Sequence, residues 1–503
     1  MQWEEEKLKP HQIISRITLA LLCGASMQFT FSPYDLNWLA IIAMAIWAWL
    51  LIKGDYPFLI SYAFGFGWFG FGSWWLADTF HLYGGLSYPL AYSCVALVGL
   101  VMAFFPALWG WLSVRITNNS IWIIPVFPAV AVLIEWLRGH LFTGLPWTSL
   151  GNLILDTPAI GWAGVMGVYG AAFIPALIAM ALAAFTDRHK TSAAVIALAL
   201  CAVFVWFAPQ PTEPESRERT VALIQGNIPQ DVKWDRAFLN ETMRRYNTLS
   251  TSAAAGSDLI VWPEAAVPFF LSRAPGWDQW LKNRVTIWNQ PLLFGGLKMT
   301  DEKETSDTPD AQSGLFLQLH NQGERSFAGK HHLVPFGEYV PSWLPWLGKL
   351  VPNIANFQAA ENGGVLKTSD TVFGSLICYE SIFPEEARSR VEQGAQVLVV
   401  VTNDAWYGQS PAAWQHLQAA RMRAVETGRY VLRAANTGVS AIIAPDGSIK
   451  ATAPWWTQAV VKGTYRLSDL VTPYQKWGDL PALIIAGLLL LAAGLRRKRW
   501  EER

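Results

Sequence analysis

The sequence predicts a membrane α-helical bundle of about eight spans that carries an inserted α/β sandwich domain. Long apolar runs fill residues 17–208 and recur at 478–495. Of the 503 residues, 52% are hydrophobic and only 15% are charged, whereas soluble domains contain about 25% charged residues. Residues 212–476 differ from the rest, because short apolar runs alternate there with polar helical stretches.

The apolar runs are long enough to cross a bilayer, for which a helix needs about 20 mostly apolar residues. We therefore expect a bundle of about seven spans in 1–211, a soluble domain in 212–476, and a final helix with a basic tail in 477–503. The predicted spans are 14–31, 36–52, 57–79, 88–113, 121–136, 161–185, 191–208 and 478–495.

Lysine and arginine in the short connections predict the orientation, since positive charges tend to stay in the cytoplasm. Every second connection is basic, which places both termini in the cytoplasm and the soluble domain on the opposite side. In a bacterial inner membrane that side is the periplasm. Arg138 is the main exception, because it lies in a connection predicted to be outside. The charges that set the pattern are Lys7, Lys9, Arg16, Lys53, Arg115, Arg188, Lys190 and residues 496–499.

Charge and cysteine content exclude several classes of protein. The chain has 38 basic and 38 acidic residues, so it lacks the positive excess of a nucleic-acid-binding protein. Its four cysteines are Cys23, Cys94, Cys201 and Cys378. Three of them lie in apolar runs, which argues against a disulfide framework. No residues show the spacing of metal ligands, and we expect no metal or other cofactor.

Few ionisable residues fall within the predicted spans, which gives a channel or transporter little support. Asp78, Glu135 and Arg138 lie at span ends. Glu135 and Arg138 are three residues apart, so a local ion pair on one helix is expected. A contact with a lipid head group is the alternative.

The soluble domain is predicted to be an α/β sandwich with buried strands. Its apolar runs are rich in Val, Ile, Leu and Phe, and turn residues bound most of them. Strands are expected at 220–226, 257–264, 291–297, 314–320, 372–380, 395–404, 430–436 and 439–447. Helices are expected at 235–254, 277–289, 384–393 and 411–428. Residues 300–312 are expected to form a charged surface loop.

Polar residues follow several predicted strands abruptly, at the sheet edge where α/β proteins bind ligands. Glu264, Cys378 and the pair Asn403 and Asp404 occupy such positions. Lys330 lies in a loop after the strand-like segment 314–320. The sequence therefore predicts a site where these strand ends meet.

Cys378 is the only cysteine in the soluble domain, and a catalytic nucleophile is one explanation for it. A buried cysteine that only packs is the alternative. His331, His332 and His416 show no Cys–His signature and are expected at the surface or hydrogen-bonded in the core.

Glu264 and Lys330 could activate Cys378 without a histidine. A nearby ammonium stabilises a thiolate by about 4 kcal/mol at about 4 Å, before desolvation. A carboxylate can accept the thiol proton, and the ammonium can then hold the oxyanion with a backbone N–H. These three residues suffice for acyl transfer.

Five motifs resemble those of the nitrilase superfamily, in the same order and over about residues 220–465. With the predicted topology, they are most similar to the integral-membrane branch that acylates bacterial lipoproteins. The superfamily has an αββα sandwich and attacks carbon–nitrogen or acyl bonds through a cysteine. The motifs are QGNIPQDVKW (225–234), VWPEAAVP (261–268), KHHLVPFGEYVP (330–341), ICYESIFPE (377–385) and TNDAWYG (402–408).

The resemblance implies that Glu264 is the general base, Lys330 the oxyanion stabiliser and Cys378 the nucleophile. Other positions match supporting residues of the family: Glu338, Tyr379, Glu380 and Trp234. Glu338 is expected to orient Lys330 or bind the incoming amine. Glu380 is expected to fix the turn at the nucleophile. A purely structural role is the alternative for both.

The resemblance also implies the substrates. The acyl donor would be a phospholipid, typically phosphatidylethanolamine, and the acceptor the N-terminal amine of a diacylated apolipoprotein. The enzyme is expected in the bacterial inner membrane, as a monomer. Two alternatives remain: a membrane-tethered amidase or nitrilase for a small carbon–nitrogen substrate, and a membrane protein whose soluble domain only binds partners.

Lipid substrates must reach the site without crossing water, since each exposed methylene costs about 0.8 kcal/mol. We expect mobile apolar arms that contact the bilayer. The alternative is that these residues pack in the core. The candidates are residues 341–358 and a second group, Phe269, Phe270, Leu271, Trp277 and Trp280.

Overall fold

The computed structural model describes residues 9–301, 310–321, 323, 325–341, 357–361 and 363–501. The chain divides into two compact units. The first comprises Met1–His81, Leu86–Pro209 and Asp479–Arg503. The second comprises Leu82–Gly85 and Gln210–Gly478.

The first unit is helical, and its apolar sequence explains why, since a backbone in lipid must satisfy its hydrogen bonds internally. Its final helix is Leu480–Glu501. The preceding helices are α1 (Pro10–Ser26), α2 (Asn37–Ile52), α3 (Pro57–Phe66), α4 (Leu76–Leu82), α5 (Tyr88–Met102), α6 (Phe104–Thr117), α7 (Ile123–His140), α8 (Ala163–Ala171), α9 (Phe173–Ala184) and α10 (Thr191–Trp206).

The described residues contain four helices that are long and apolar enough to cross a membrane: Pro10–Thr30, Tyr88–Thr117, Ile123–His140 and Leu480–Arg497. A fifth candidate is the pair Ile160–Ala171 and Phe173–Ala184, which is bent by 67°. Three further apolar helices are shorter: Asn37–Ile52, Pro57–Phe71 and Thr191–Trp206. The structure therefore supports a membrane protein with about four clear spans, fewer than the sequence predicts.

Helix length explains the difference. A helix rises 1.5 Å per residue, so the 16 residues of α2 extend about 24 Å, short of the roughly 30 Å hydrocarbon core. The predicted span 57–79 is interrupted where a π-helical turn, Gly67–Phe71, ends α3. Hydropathy alone does not register such breaks.

The predicted ion pair between Glu135 and Arg138 forms within α7 and is buried. The Arg138 Nη2 lies 2.9 Å from Oε2 of Glu135. Arg138 also donates to the carbonyl of Trp147, while Glu135 accepts from the backbone N–H of Leu150. The pair thus anchors the connection after α7, and the positive charge that violated the orientation pattern is neutralised.

Within its described residues, the second unit contains two sheets and five α-helices. Its strands are β1 (Arg219–Gln225), β2 (Leu259–Val261), β3 (Val267–Phe270), β4 (Leu292–Met299), β5 (Ala311–Gln318), β6 (Arg325–Gly329), β7 (Val365–Lys367), β8 (Val372–Ile377), β9 (Val397–Thr402), β10 (Val431–Ala435), β11 (Ala441–Ile443), β12 (Ile449–Thr452) and β13 (Ala459–Tyr465). Its helices are α11 (Leu239–Ala254), α12 (Pro275–Trp288), α13 (Pro384–Glu392), α14 (Ala412–Thr427) and α15 (Pro473–Trp477). The final helix of the chain is thus α16.

The first sheet has the strand order β13-β1-β2-β4-β5-β6, with β3 also paired to β4. The second has the order β12-β11-β10-β9-β8-β7. At the centre of each sheet the strands are parallel: β1, β2 and β4 in the first, and β8, β9 and β10 in the second. Of the predicted site residues, Glu264, Cys378 and Asn403 follow the carboxyl ends of these central strands.

Alternate side chains of a strand belong to two different cores, and these cores separate the layers of the domain. In β1, Val221 and Leu223 face a core shared with the second sheet, while Ala222 and Ile224 face a core shared with α11 and α12. The second sheet packs against α13 and α14 through a further core. Successive strand residues point to opposite faces, and here both faces are buried. The predicted αββα sandwich is confirmed.

All eight predicted strands and four predicted helices of this unit occur, within a few residues of the expected bounds. The sequence failed to predict β3, β6, β7, β12, β13 and the short helix α15. Most of the predicted loop 300–312 lies outside the described residues, although β5 begins at Ala311.

The Arg138 pair can be tested by unfolding in detergent. Replacing Arg138 by Met leaves a buried carboxylate without its counter-charge, which typically costs about 3–5 kcal/mol. We expect Arg138→Met to lower the thermal midpoint far more than the exposed control Arg115→Met. The double variant Glu135→Gln/Arg138→Met should recover much of the loss. A midpoint for Arg138→Met equal to that of the wild type would contradict this account.

Candidate active site

Glu264 follows β2 by three residues and is held from the second sheet. Its Oε2 accepts a hydrogen bond of 2.9 Å from the backbone N–H of Asn403, which follows β9. Its negative charge also raises the pKa of the buried Cys378 thiol. Gly295 in β4 makes room for this segment, since a Cβ there would lie 2.6 Å from the Cα of Glu264. The two sheets thus meet at this carboxyl group.

Lys330 is fully buried and follows β6 directly. The sequence analysis placed it in a loop after β5 because β6 is polar and was not recognised. Its backbone N–H donates to the carbonyl of Ser313. The Nζ lies 2.6 Å from Oε1 of Glu338 and 3.8 Å from Oε1 of Glu264. The ammonium is therefore held between two carboxyl groups.

Cys378 is the first residue after β8 and begins the 3-10 helix Cys378–Ile382. Its φ is +51°, in the left-handed region. Such a conformation costs a non-glycine residue about 1–3 kcal/mol and persists only where the surroundings enforce it. The backbone N–H of Tyr379, the next residue in this turn, is the donor expected for an oxyanion at the Cys378 carbonyl adduct.

Glu380 joins the nucleophile turn to the lysine segment. Its Oε2 accepts from the N–H of Ile377 at 2.7 Å. Its Oε1 accepts from the N–H groups of His331 and His332 at 2.7 and 3.1 Å. Arg390 lies 3.4 Å from the same oxygen. One buried carboxyl group thus positions the residues beside both Cys378 and Lys330, as the sequence analysis expected for the turn.

A second buried network supports the carbonyl of Cys378. The Nε2 of His416 lies 2.9 Å from that oxygen, and its Nδ1 lies 2.9 Å from Oδ1 of Asp404. Arg433 donates to Oδ2 of Asp404. This arrangement confirms the expectation that His416 is hydrogen-bonded in the core, and it gives Asp404 a structural role.

Burial and a neighbouring negative charge keep the Cys378 thiol protonated in the absence of a substrate. Burial raises the pKa of the Cys378 thiol well above its ordinary value, and Glu264 raises it further, while Lys330 opposes both. Burial lowers the pKa of Lys330, but Glu338 and Glu264 outweigh that effect and raise the pKa above its usual value. The sequence analysis expected the ammonium to favour a thiolate. In the structure, burial and Glu264 outweigh it.

Burial also raises the pKa of Glu264, against the lowering influence of Lys330. A carboxyl group with a raised pKa is a better proton acceptor near neutral pH. The arrangement therefore suits transfer of the thiol proton to Glu264 during attack.

The remaining predicted site residues, Glu338, Tyr379 and Trp234, differ in how far they are buried. Glu338 bridges the Lys330 ammonium and the backbone N–H of Val334, which fits the expected orienting role. The Tyr379 ring is buried against His332 and Phe383. Trp234 is 46% exposed, so its ring is accessible to a ligand.

The sequence analysis missed Lys233, which is 2% exposed. Its Nζ donates to the backbone carbonyl of Glu264 at 3.0 Å. The available signal was a lysine within the motif at 225–234, but a lysine before an exposed tryptophan is ordinarily solvated.

Of the two apolar segments that were expected to contact the bilayer, the structure describes only one in full. Residues 342–356 of the segment 341–358 lie outside the described residues. The second group packs against the core beneath the first sheet, with Leu271 buried and Phe269, Trp277 and Trp280 partly buried. Phe270 contacts the guanidinium of Arg273. The core alternative therefore describes most of this group.

Among the residues that the structure describes, no group of three or more His, Cys, Asp or Glu side chains is placed to hold a metal ion. The chemistry of the site rests on the buried carboxyl groups, lysines and thiol described above.

The sandwich and its cysteine, glutamate and lysine define a protein of the carbon–nitrogen hydrolase class. The carbon–nitrogen hydrolase family model matches residues 220–472. Among solved structures, an amidase from Nesterenkonia sp. AN1 with a covalent adduct at its active-site cysteine aligns at 17% identity. It covers 51% of this chain and 93% of its own, with a TM-score of 0.38. The C. elegans NitFhit protein aligns at 19% identity over 50% and 61%, with a TM-score of 0.40.

The helical part identifies the family more closely. The model of the apolipoprotein N-acyltransferase N-terminal domain matches residues 23–181. The apolipoprotein N-acyltransferase of Shewanella oneidensis is 35% identical over 97% of this chain and 96% of its own. That of Methylococcus capsulatus is 36% identical over 95% and 96%. The chain belongs to the apolipoprotein N-acyltransferase family.

Glu380 offers a direct test of how the site is held. In Glu380→Gln the neutral amide cannot pair with Arg390, and one oxygen must replace two as an acceptor of backbone N–H groups. Breaking a buried charge pair costs about 3–5 kcal/mol. We expect a large drop in thermal midpoint and loss of Cys378 reactivity toward an acyl donor. The control is Glu392→Gln, because Glu392 forms an exposed pair with Arg388. Equal behaviour of the two variants would show that Glu380 does not organise the site.

Proposed function

We propose that this protein transfers an acyl chain from a membrane phospholipid to the N-terminal amine of a diacylated apolipoprotein, through a thioester at Cys378. The observation that carries the proposal is the buried Cys378 thiol under the influence of both Glu264 and Lys330, whose Nζ lies 3.8 Å from Oε1 of Glu264. This arrangement occurs in a chain that belongs to the N-acyltransferase family and has apolar helices long enough for a membrane.

In the first half-reaction the sulfur of Cys378 attacks the ester carbonyl of the phospholipid, and the thiol proton passes to Glu264. The C–O bond then breaks, and Glu264 returns the proton to the leaving oxygen. A lysophospholipid departs and a thioester remains. General acid–base catalysis of this kind contributes about 10²–10⁴-fold.

The tetrahedral intermediate carries a negative oxygen, for which Lys330 and the N–H of Tyr379 are the donors. Lys330 suits the role because Glu338 and Glu264 keep it protonated against the effect of burial. Preorganised donors of this type are worth about 10²–10³-fold each. Glu338 fixes the ammonium through its 2.6 Å contact.

In the second half-reaction the unprotonated amine of the apolipoprotein attacks the thioester. Glu264 accepts a proton from the attacking nitrogen and delivers it to the departing sulfur. An amide forms, the C–S bond breaks, and the free thiol is restored. Trp234, exposed beside the site-forming Lys233, is a candidate contact for either lipid.

The proposed organisation follows the sequence: a helical bundle in 1–211, the catalytic domain in 212–476 and a last helix in 477–503. We place the protein in a bacterial inner membrane with its catalytic domain in the periplasm, acting as a monomer. Phosphatidylethanolamine is the proposed donor. The neutralised charge of Arg138 supports this orientation, because it removes the main exception to the basic pattern.

Intact-protein mass spectrometry tests the thioester. After incubation with phosphatidylethanolamine, the wild type should gain the mass of one acyl chain, and hydroxylamine should remove it. Cys378→Ala should gain nothing, since it lacks the nucleophile. Cys94→Ala is the matched control, because Cys94 lies in α5 and should leave acylation unchanged.

A diacylated lipopeptide should discharge the acyl-enzyme, whereas the same lipopeptide with an acetylated amine should not. Failure of the wild type to gain mass in a lipid that supports folding would overturn the proposal. Release of ammonia from small amides without phospholipid would favour a tethered amidase instead.

The steady-state kinetics should be ping-pong, because the lysophospholipid leaves before the acceptor reacts. Double-reciprocal plots against donor concentration, at several lipopeptide concentrations, should give parallel lines. Lines that intersect would mean that both lipids occupy the site together, and would exclude the two-step scheme.

A further inference from the structure

A second buried ammonium lies at the site, and the mechanism above does not use it. Lys233 belongs to the segment that leads from β1 toward α11. It is 2% exposed, and its Nζ lies 3.0 Å from the backbone oxygen of Glu264. Its charge is close enough to interact with both the Glu264 carboxylate and the Cys378 sulfur. Burying a lysine here needs a reason, because buried charges are costly unless they are compensated.

The charges of the groups around Lys233 provide a reason for burying it. With Cys378 as a thiol, ionised Glu264 and Glu338 contribute two negative charges and Lys330 one positive charge. Lys233 brings the total to zero. An uncompensated charge in a protein interior costs several kcal/mol. The site therefore places two buried lysines beside one buried carboxylate, that of Glu264, and one partly buried carboxylate, that of Glu338.

We propose that Lys233 is a positioning residue that holds the backbone of Glu264 and keeps its carboxylate ionised, so that this carboxylate can accept the thiol proton. The inference deepens the proposed function and rests on it. Lys233 acts through Glu264, whereas Lys330 acts on the oxyanion.

The hydrogen bond from Lys233 to the backbone carbonyl of Glu264 fixes the position of the chain at Glu264. Ala265, the next residue, has a φ of +48°, so the chain turns sharply just after the base. A donor on the carbonyl of Glu264 fixes the orientation of this strained peptide, which stabilises the carboxyl group within reach of both Cys378 and Asn403.

The positive charge of Lys233 stabilises the negative charge carried by the pair Cys378 and Glu264. Moving a proton from Cys378 to Glu264 leaves the total charge of this pair unchanged, at one negative charge. Lys233 therefore stabilises the pair both before and after the transfer. Its removal should disfavour the singly ionised pair relative to the doubly protonated, inactive one.

Several other groups face this pair and act together with Lys233. Lys330 lowers and Glu338 raises the pKa of Glu264, in addition to the raising effect of burial. Asp404 adds to the raised pKa of Cys378, behind burial and Glu264. Tyr407 faces the same charges with its own pKa raised by burial. None of these groups changes in a variant of Lys233.

Lys233 has its own titration in an accessible range. Burial lowers its pKa to about 8, against the raising effects of Glu264 and Cys378. As the pH rises through this value, the stabilising charge is lost. Arginine stays protonated at every pH of interest. Lys233→Arg should therefore keep the pH dependence that Glu264 gives the wild type, whereas a neutral replacement should not.

The experiment measures the single-turnover rate of Cys378 acylation by phosphatidylethanolamine in detergent micelles, using the full chain from acidic to alkaline pH. For Lys233→Met, the acid limb of the pH profile should move upward by about 1–3 units, because a neighbouring cation shifts a carboxyl pKa by that amount. For Lys233→Arg, the acid limb should stay where it lies in the wild type, because the positive charge beside Glu264 is retained. The control is Lys462→Met, because Lys462 also donates to a backbone carbonyl but lies in β13.

The outcomes separate the two proposals. A Lys233→Met profile that is lower at all pH values but unshifted would overturn the inference and leave the thioester mechanism standing. The same holds if Lys233→Arg moves the acid limb as far as Lys233→Met does. If Lys233→Met does not fold, Lys233→Gln takes its place in the same comparison with Lys233→Arg. If the wild type forms no acyl-enzyme, the proposed function fails and the role of Lys233 fails with it.

Discussion

The hydrogen bond from the Asn403 backbone to the Glu264 carboxylate is the contact on which the site depends. Glu264 follows a strand of the first sheet, whereas Asn403 and Cys378 follow strands of the second. Glu264 and Cys378 therefore meet only if the two sheets pack in one register. The buried apolar core between the sheets supplies that register. Because the interior excludes water, the charges placed there interact strongly and must be balanced.

Three residues in the segments that form the site have a strained backbone. Cys378, Ala265 and Phe336 all have positive φ values, and each lies in a segment that carries a predicted catalytic motif. Glu380 and His416 hold the turn at Cys378 from opposite directions, through backbone N–H groups and through the Cys378 carbonyl. The αββα framework is thus rigid at the point where the backbone is least relaxed, as functional sites often are.

The sequence predicted the central strands well, because buried parallel strands are continuous apolar runs. Polar residues mark the ends of these runs, and the structure brings the side chains of Glu264 and Lys330 to within 3.8 Å of each other. It did not predict β12, whose residues Ile449–Thr452 are mostly exposed, or β6, which begins with Arg325. Edge strands of this kind lack the apolar signal. Lys233 was missed for a different reason: its burial depends on how the segment after β1 folds over Glu264, which no local pattern encodes.

The protonated state of Cys378 has a consequence for its durability. Peroxides and disulfides react with thiolates much faster than with thiols. A cysteine whose pKa is raised by burial and by a neighbouring carboxylate is therefore inert toward such oxidants while the enzyme waits for a substrate. In the proposed mechanism the sulfur gains nucleophilic character only as its proton leaves for Glu264, when an acyl carbonyl already lies against it. The charges proposed to start the reaction would thus also protect Cys378 between turnovers.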